Sequence, residues 1–235
     1  MDTTLDGIKT EIKAQAIKLG ADLVGFASVD RFLEAPEGFR PTDIMPRAKS
    51  VIVIAKRGPR EVVRNKRRLT TYYHVFCTIT GQLDQIAYQL SYFIEDQGFR
   101  AYPVPSDSPY TAWDEENMHG RGDLSHRHAG AAAGLGVLGK NTLLITPRYG
   151  NRIQLVSIIS DLEVNPDPLV EEDLCPEDCR VCLDACPVGA LDGTTVVQKL
   201  CREHIATTLP RGFSVYSCWE CRRVCPAGRA DGNGA

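Results

Sequence analysis

The sequence has no apolar run approaching the ~20 residues that span a bilayer, which excludes a predicted transmembrane helix. Its N-terminus, MDTTLDGIKTEIKAQAIKLG, lacks the basic start and apolar stretch of a secretory signal, and no twin-arginine segment follows. Cysteine is nearly absent before residue 175, where only Cys77 occurs. These absences predict a cytoplasmic chain without a membrane partner, in a compartment where thiols stay reduced and structural disulfides are rare.

The net charge of −3 conceals two segments of opposite sign. Residues 56–68 hold seven basic residues and one acid, whereas residues 161–192 hold ten acids and one base. Such segregation can orient a charged partner or substrate. The alternative is that each segment is a solvated surface loop.

Hydrophobic spacing defines the main elements of the first 165 residues. Steps of three and four predict an opening helix over 5–19 and a central helix over 71–98. Cys77 lies within the second helix and is interpreted as a small buried hydrophobe. Short β-rich runs predict strands, at 21–29, 50–55 and 100–104.

Two further features complete this part of the chain. Residues 106–123 form a polar stretch without periodicity, and loops of that length are often functional. Residues 141–146 and 152–160 predict the two strands of a β-hairpin. Because helices and strands alternate without regular βαβ repeats, the sequence predicts an α+β sheet with flanking helices.

Cysteine is concentrated between residues 175 and 225, which hold eight of the nine cysteines. The segment CPEDCRVCLDACP at 175–187 is partly repeated as CWECRRVCP at 218–226. Disulfides are disfavoured by the compartment and the odd count, and zinc takes one Cys₄ set, usually as two separated C-x₂-C pairs. The spacing C-x₂-C-x₃-C-P instead indicates iron–sulfur ligation, and two copies predict two [4Fe–4S] clusters.

Two-cluster ferredoxins also indicate which cysteine binds which cluster, because the cysteine before proline ligates the other cluster. This assigns the first cluster to Cys175, Cys179, Cys182 and Cys225. It assigns the second to Cys186, Cys201, Cys218 and Cys221. Cys175 and Cys201 depart most from the motif, since the first copy opens with C-x₃-C and sixteen residues separate Cys201 from Cys218.

The stretch RHAGAAAGLGVLGKNTLLITPRYGNRIQLVSIISDL, followed by the cysteine motifs, resembles the cobalamin-dependent iron–sulfur reductases. That family comprises the epoxyqueuosine reductases and reductive dehalogenases, and the segments GADLVGFASVD and PRAKSVIVIAK are similar to its first strands. The resemblance implies a nitroreductase-like α/β core over 1–165 and a ferredoxin-like double-cluster module over 166–235. The chain resembles a short version of the family that ends before its C-terminal repeat domain.

The resemblance also implies a redox cofactor between the two parts, a corrinoid (cobalamin) or, as the alternative, flavin mononucleotide. Close approach to a cofactor would select the glycines at Gly134, Gly136 and Gly139, although tight helix–sheet packing would select them as well. His126 and His128 are candidate cofactor contacts, with helix capping or surface placement as the alternative. Being two residues apart, they do not form a metal-binding pair on a helix.

Reduction of a C–C, C–O or C–X bond needs protons as well as electrons, so an acid or phenol is expected beside the substrate. Asp107 resembles the acidic residue of the family's DSAP element, with a turn cap as its alternative role. Tyr73 begins the central helix in a family-like position. Lys140 matches the basic residue after AGLG-x-x-G and would supply positive charge to a phosphate or a developing anion.

We therefore expect an anaerobic-type reductase that takes electrons from a ferredoxin or flavodoxin and reduces a small organic substrate. A second hypothesis is an electron-transfer or reductive-activation protein for a separate corrinoid or metalloenzyme. A third is a tRNA-modifying enzyme that places residues 56–68 on phosphates. The sequence ranks tRNA last as a partner, because the repeat domain is where much tRNA contact is expected.

Overall fold

Two eight-residue strands form the centre of the main sheet in the computed structural model, which describes residues 5–229. They are β2 (Ser50–Arg57) and β8 (Ile153–Ser160), and they pair antiparallel with Val53 opposite Ser157. Strand β1 (Leu23–Ser28) flanks β2, and β3 (Ala101–Val104) flanks β8, which gives the order β1-β2-β8-β3. Nearly all of β2 and β8 is buried, because both faces of the sheet are covered.

Helices cover one face of this sheet. Helix α1 (Leu5–Lys18) and the long helix α4 (Leu69–Asp96) place apolar side chains against Phe26 and Ile52 of the sheet. The spacing of three and four residues therefore correctly predicted both helices. The central helix ends before Gly98, whose φ of 87° is the left-handed conformation that glycine adopts without strain.

The opposite face is covered by α5 (His126–Ala132) and by the short strands β6 (Val137–Leu138) and β7 (Leu144–Ile145). Their buried side chains form a second hydrophobic cluster with β2 and β8. Smaller elements lie at the edges of this core: a 3₁₀ turn (Val29–Phe32), α2 (Pro41–Ile44), α3 (Arg60–Arg64), β4 (Ala112–Asp114) and β5 (His119–Arg121).

The cysteine-rich segment is built from short elements. In chain order they are α6 (Val181–Asp184), α7 (Gln198–Ile205), β9 (Ala206–Leu209), β10 (Phe213–Tyr216), α8 (Glu220–Val224) and α9 (Pro226–Arg229). Strands β9 and β10 form a separate two-stranded hairpin. The prediction of a mixed α and β fold is confirmed, whereas the division into parts 1–165 and 166–235 stays a prediction. Within residues 5–229, no helix combines the length and apolarity that crossing a bilayer requires.

Three local predictions were wrong. The segments around 141–146 and 152–160 do not form a hairpin: β7 pairs with β6, and β8 lies between β2 and β3. The polar stretch 106–123 is not structureless, since β4 and β5 pair within it. Cys77 is exposed rather than buried, because it lies on the outer side of α4, away from the sheet.

Candidate functional site

Four cysteines from both motifs line one cavity. Its wall includes Cys175, Cys179, Cys182 and Cys225, and its empty space measures about 350 Å³ with the open mouth included. Burial raises the pKa of the Cys182 thiol, and the charges of Cys225 and Cys175 raise it further, which places these sulfurs near one another. Cys225, from the second motif, thus lies with the first three cysteines of the other motif, as the ligand assignment expects.

The other four cysteines form a neighbouring group. Burial raises the pKa of Cys201, with further increases from Cys218 and Cys186. Burial also raises the pKa of Cys221 to about 11, opposed by Arg222 and reinforced by Cys218 and Cys201. Cys186 accepts a hydrogen bond from the backbone N–H of Ala190 at 3.3 Å. The cysteine before the first proline therefore lies with the second motif.

The cysteine sulfurs of each group lie near one another, but they do not surround a position at which one metal ion would bind. Across residues 5–229, no set of three or more His, Cys, Asp or Glu side chains is arranged to hold one metal ion. A structural zinc site needs four sulfurs about 2.3 Å from the metal. Neither group of four thiols forms such a site in the described part of the chain. Since burial favours the neutral thiol, the positive charge of bound iron is what would hold these side chains as thiolates.

Lys140 anchors the first cysteine motif. Its Nζ donates to the carbonyl oxygens of Pro176 and Cys179, each at 3.1 Å, and to that of Glu177. With three backbone acceptors around it, the ammonium holds the loop between Cys175 and Cys179. This placement does not favour the prediction that Lys140 acts in catalysis.

A separate polar group surrounds Asp107, the predicted acid. Burial raises the pKa of the half-buried Asp107 carboxyl and Asp84 adds to this, whereas the Ser108 backbone N–H and Arg202 oppose it. Tyr73 lies on the same side, since the charge of Asp107 contributes to its raised pKa after the larger effects of Cys77 and burial. The structure thus brings together two of the three predicted catalytic residues.

Tyr216 of β10 completes this group. Its ring contacts the edge of Tyr73 with centroids 5.9 Å apart. Burial raises the Tyr216 pKa, and the charge of Asp107 is the next largest cause. Because Tyr216 precedes Cys218 by two residues, the Asp107 group adjoins the second cysteine group. An acid with a raised pKa and two phenols can deliver protons to a reduced substrate there.

Arg202 of α7 fixes the loop that carries Asp107. Its guanidinium lies 4.9 Å from the ring centre of Tyr110 and 5.1 Å from that of Trp113, and these two rings stack on each other. Nη2 donates to Tyr110 Oη at 3.0 Å, and Nε donates to Gln198 Oε1 at 3.1 Å. The arginine next to Cys201 therefore attaches the loop to the cysteine-rich segment.

The two histidines are bound within the protein. His126 has one ring nitrogen 2.8 Å from Ser157 Oγ and the other 2.8 Å from the Pro105 carbonyl, so it connects α5, β8 and the start of the Asp107 loop. Burial lowers its pKa, which favours the neutral ring. His128 is exposed, and its Nδ1 lies 2.7 Å from Ser125 Oγ. This geometry does not favour His126 as a cofactor contact, because both of its nitrogens are occupied.

The predicted cofactor glycines pack against the chain itself. A Cβ on Gly134 would lie 2.0 Å from the Pro168 carbonyl oxygen, and one on Gly136 would lie 2.0 Å from that of Ile145. A Cβ on Gly139 would meet the Ile145 side chain at 2.6 Å. Tight internal packing, the alternative given by the sequence, accounts for all three glycines.

Comparisons with known proteins identify relatives of this chain. No family model matches the chain. An epoxyqueuosine reductase of Bacillus cereus is 30% identical over 93% of this chain, and a tetrachloroethene reductive dehalogenase of Desulfitobacterium hafniense is 27% identical over 73%. The chain is homologous to epoxyqueuosine reductases and to reductive dehalogenases. It spans 64% of the length of the Bacillus relative and 27% of that of the dehalogenase.

Solved structures of both kinds of enzyme share the fold of this chain. An epoxyqueuosine reductase with an epoxyqueuosine-modified tRNA stem loop matches 96% of this chain with a TM-score of 0.63 and 22% identity, and the match covers 66% of that protein. A reductive dehalogenase described as B12-dependent matches 94% of this chain with a TM-score of 0.69 and 21% identity, covering 32% of that protein. At these identities the likeness establishes the fold.

Sequence reasoning missed three residues of this site. Arg202 and Tyr216 contact the Asp107 group, and Trp219 stacks on Tyr72 with centroids 3.9 Å apart. Each lies within two residues of a predicted cluster cysteine. Proximity to those cysteines was the available signal, but it does not indicate which loop each side chain meets.

Proposed function

We propose that this chain is an iron–sulfur reductase in which two [4Fe–4S] clusters deliver low-potential electrons to the Asp107 group. The main observation in support of the proposal is the position of Asp107. The charge of Asp107 raises the pKa of Tyr216, and the charge of Arg202 lowers the pKa of Asp107. Tyr216 and Arg202 lie beside Cys218 and Cys201 of the second cysteine group. Electrons from that group and a proton from Asp107 would therefore reach the same place.

The proposed ligand sets keep the exchange of cysteines between motifs. Cys225 shares the cavity of the first motif, and the mutual influence of Cys201, Cys218 and Cys186 supports the second set. In this proposal residues 1–165 are the nitroreductase-like part and residues 166–235 are the ferredoxin-like double-cluster module. A ferredoxin or flavodoxin is the proposed electron donor.

Asp107 is the proposed proton donor. Burial favours its neutral acid form, so the carboxyl can keep a proton at a pH where an exposed aspartate has lost it. Removing an epoxide oxygen as water consumes two electrons and two protons, and replacing a halogen by hydrogen consumes two electrons and one proton. Tyr73 and Tyr216 are placed to hydrogen-bond the substrate or to relay the second proton. An electron carrier would need no such donor, so the Asp107 group favours an enzyme.

The proposed substrate class is an epoxyqueuosine-type modified nucleoside in tRNA. Two findings support it over the small organic substrate expected from the sequence. The chain covers far more of the epoxyqueuosine reductase relative than of the dehalogenase, and one matching structure was solved with a tRNA stem loop. The low rank that the sequence gave to tRNA is therefore revised. Exposed Trp113 beside Asp107's loop offers a stacking surface for a base.

A small organic substrate remains the second candidate. The dehalogenase structure matches the chain with a TM-score of 0.69, and the Asp107 carboxyl is half-buried, as expected for an acid that acts on a small enclosed molecule. The same electrons and proton would serve either substrate.

A corrinoid is the proposed additional cofactor, on the strength of the B12-dependent dehalogenase structure. When bound, it would supply a reducible cobalt. However, the contacts expected from the sequence do not fit it, because Gly134 and Gly136 face the chain's own backbone and His126 is fully bonded. We therefore assign no residue to the corrinoid and derive no step from it.

The proposal is tested on protein purified without oxygen. We expect about eight irons per chain and the broad absorption near ~400 nm of thiolate-ligated iron. About four irons, or one zinc, would contradict the ligand assignment. Incubation with a chemical reductant and an epoxyqueuosine-modified stem loop should then yield reduced nucleoside by mass spectrometry. Reduction of free organohalides, with the stem loop untouched, would instead establish the second candidate.

A further inference from the structure

A second recess lies between the basic segment and the second cysteine group. Its apolar wall includes Val63, Tyr72 and Phe76, and its polar wall is formed by Arg152, Gln154 and Arg222. Its empty space measures about 290 Å³ with the open mouth included. No predicted catalytic or cluster residue lines it.

Arg152 is the unusual feature of this recess. The residue is only 7% exposed, its Nη1 donates to the Gly58 carbonyl at 3.1 Å, and its buried Nε has no partner within residues 5–229. Buried polar groups in proteins are nearly always hydrogen-bonded. The unpartnered N–H of a side chain that lines the recess therefore indicates a missing acceptor.

The charges around Arg152 do not supply that acceptor. Burial lowers its pKa, and the like charges of Arg60, Arg57 and Arg64 lower it further. None of the lining side chains of the recess is acidic. The nearby acids are engaged elsewhere, since Asp22 lies 3.3 Å from Arg57 and Glu61 lies 3.7 Å from Arg64.

Arg222, the other arginine of the recess, has more hydrogen-bond partners than Arg152. Its Nη1 donates to the carbonyls of Asn151 and Ile153, at 2.6 and 2.8 Å, and its charge lowers the pKa of Cys221. Two backbone oxygens therefore compensate the burial of Arg222, whereas Arg152 has one. A buried guanidinium without an anion is strongly disfavoured.

We propose that this recess binds the phosphate group of a small organic phosphate ester. A guanidinium fork matches two phosphate oxygens, and the Gln154 amide can donate to a third. The open recess has room for a phosphate group, and its apolar wall suits the organic part of the molecule. A nucleic-acid backbone is less suited, because a phosphodiester carries chain on both sides, whereas a terminal phosphate presents three oxygens to the recess. The site is independent of the proposed reductase function, since binding alone defines it.

The test uses cluster-loaded full-length protein and pairs of ligands that differ by a phosphate. Calorimetric titration compares phenyl phosphate with phenol and flavin mononucleotide with riboflavin, with inorganic phosphate as competitor. We expect the phosphorylated member of a pair to bind at least about 10-fold tighter, and inorganic phosphate to compete. Equal affinities within both pairs would overturn the proposal.

Variants of single residues test whether the phosphate group binds in this recess. Gln154→Glu places a negative charge at half-buried Gln154, and it should abolish the preference for the phosphorylated ligand while cluster absorption is retained. Arg152→Gln should do the same if it folds. Arg47→Gln, which removes one exposed charge elsewhere, should retain the preference. A preference that survives Gln154→Glu, or a variant effect seen only with an unmodified RNA stem loop, would exclude the small-ester site.

Discussion

The β-sheet core and the cysteine-rich segment are stabilised differently. In the core, Ile52, Ile54 and Leu90 are fully buried, and β2 is buried over six of its eight residues. In the cysteine-rich segment the longest helix, α7, has eight residues and none of them is buried. We therefore expect the core to fold on apolar burial, and the cysteine-rich segment to depend on the bonds to the proposed clusters, as small metal-binding domains do.

Loss of one cluster ligand should give the largest contrast between these regions. We expect Cys182→Ala to lower the iron content from about eight to about four per chain. Hydrogen exchange should accelerate across 175–229, while the amides of β2 and α4 keep their protection. Cys77→Ala is the matched control, because Cys77 is exposed and outside both groups. Equal loss of protection in both regions would show that the core also depends on the clusters.

Replacement of Asp107 should lower turnover without changing the fold of the core or of the cysteine-rich segment. Asp107→Asn removes the proposed proton donor, so turnover should fall about 10²–10⁴-fold. Iron content and thermal unfolding should stay at wild-type values. Glu116→Gln makes the same chemical change at an exposed position of the same loop and should leave turnover unaltered. Equal rates for the two variants would remove Asp107 from the mechanism.

A cavity in the core should lower stability without affecting the clusters. Leu90→Ala removes a fully buried side chain that packs against the sheet, so the free energy of unfolding should fall by about 2–5 kcal/mol. Tyr88→Ala, on the exposed side of the same helix, should change it by about 0.5 kcal/mol or less. Denaturant titration with iron quantitation checks both. Iron loss in Leu90→Ala before unfolding would contradict independent stabilisation of the two regions.

The interaction of Arg202, from the cysteine-rich segment, with Asp107 should affect the pH dependence of turnover. Turnover should decline as the pH rises through the raised pKa of Asp107, because the acid form donates the proton. Arg202 opposes that raised pKa, so Arg202→Gln should move the decline to higher pH. Arg121→Gln, an arginine that faces Phe39, is the control. A decline that stays in place, or moves to lower pH, would contradict the assignment.

Local patterns in the sequence predicted the features that depend on neighbouring residues. The apolar spacing of Leu83, Ile86 and Leu90 predicted α4, and the run SVIVIA predicted β2. Cysteine spacing predicted two groups of thiols, because each motif is a compact local unit. The placement of Cys225 in the cavity of the first motif was expected from the exchange of ligands in two-cluster ferredoxins.

Features that depend on distant contacts were missed. Strand β7 has two residues, too few to show a period, and its partner β6 is selected by the close approach that Gly136 permits. Lys140 was expected to supply positive charge to a phosphate or a developing anion, yet it donates to carbonyl oxygens 36 to 39 residues later in the chain. Arg202 is an unremarkable helical arginine in sequence, and only the fold brings it to Tyr110 and Trp113.

Trp219, which stacks on Tyr72, should also make the fluorescence of the protein depend on cluster loading. The protein has two tryptophans, and Trp219, 6% exposed, lies between Cys218 and Cys221, whereas Trp113 is 45% exposed. Because an adjacent iron–sulfur cluster absorbs at the emission wavelength of tryptophan, Trp219 emission should be quenched in loaded protein and should recover when the second cluster is lost. Soluble quenchers would suppress Trp113 emission first, so the intrinsic fluorescence can report on cluster occupancy without a label.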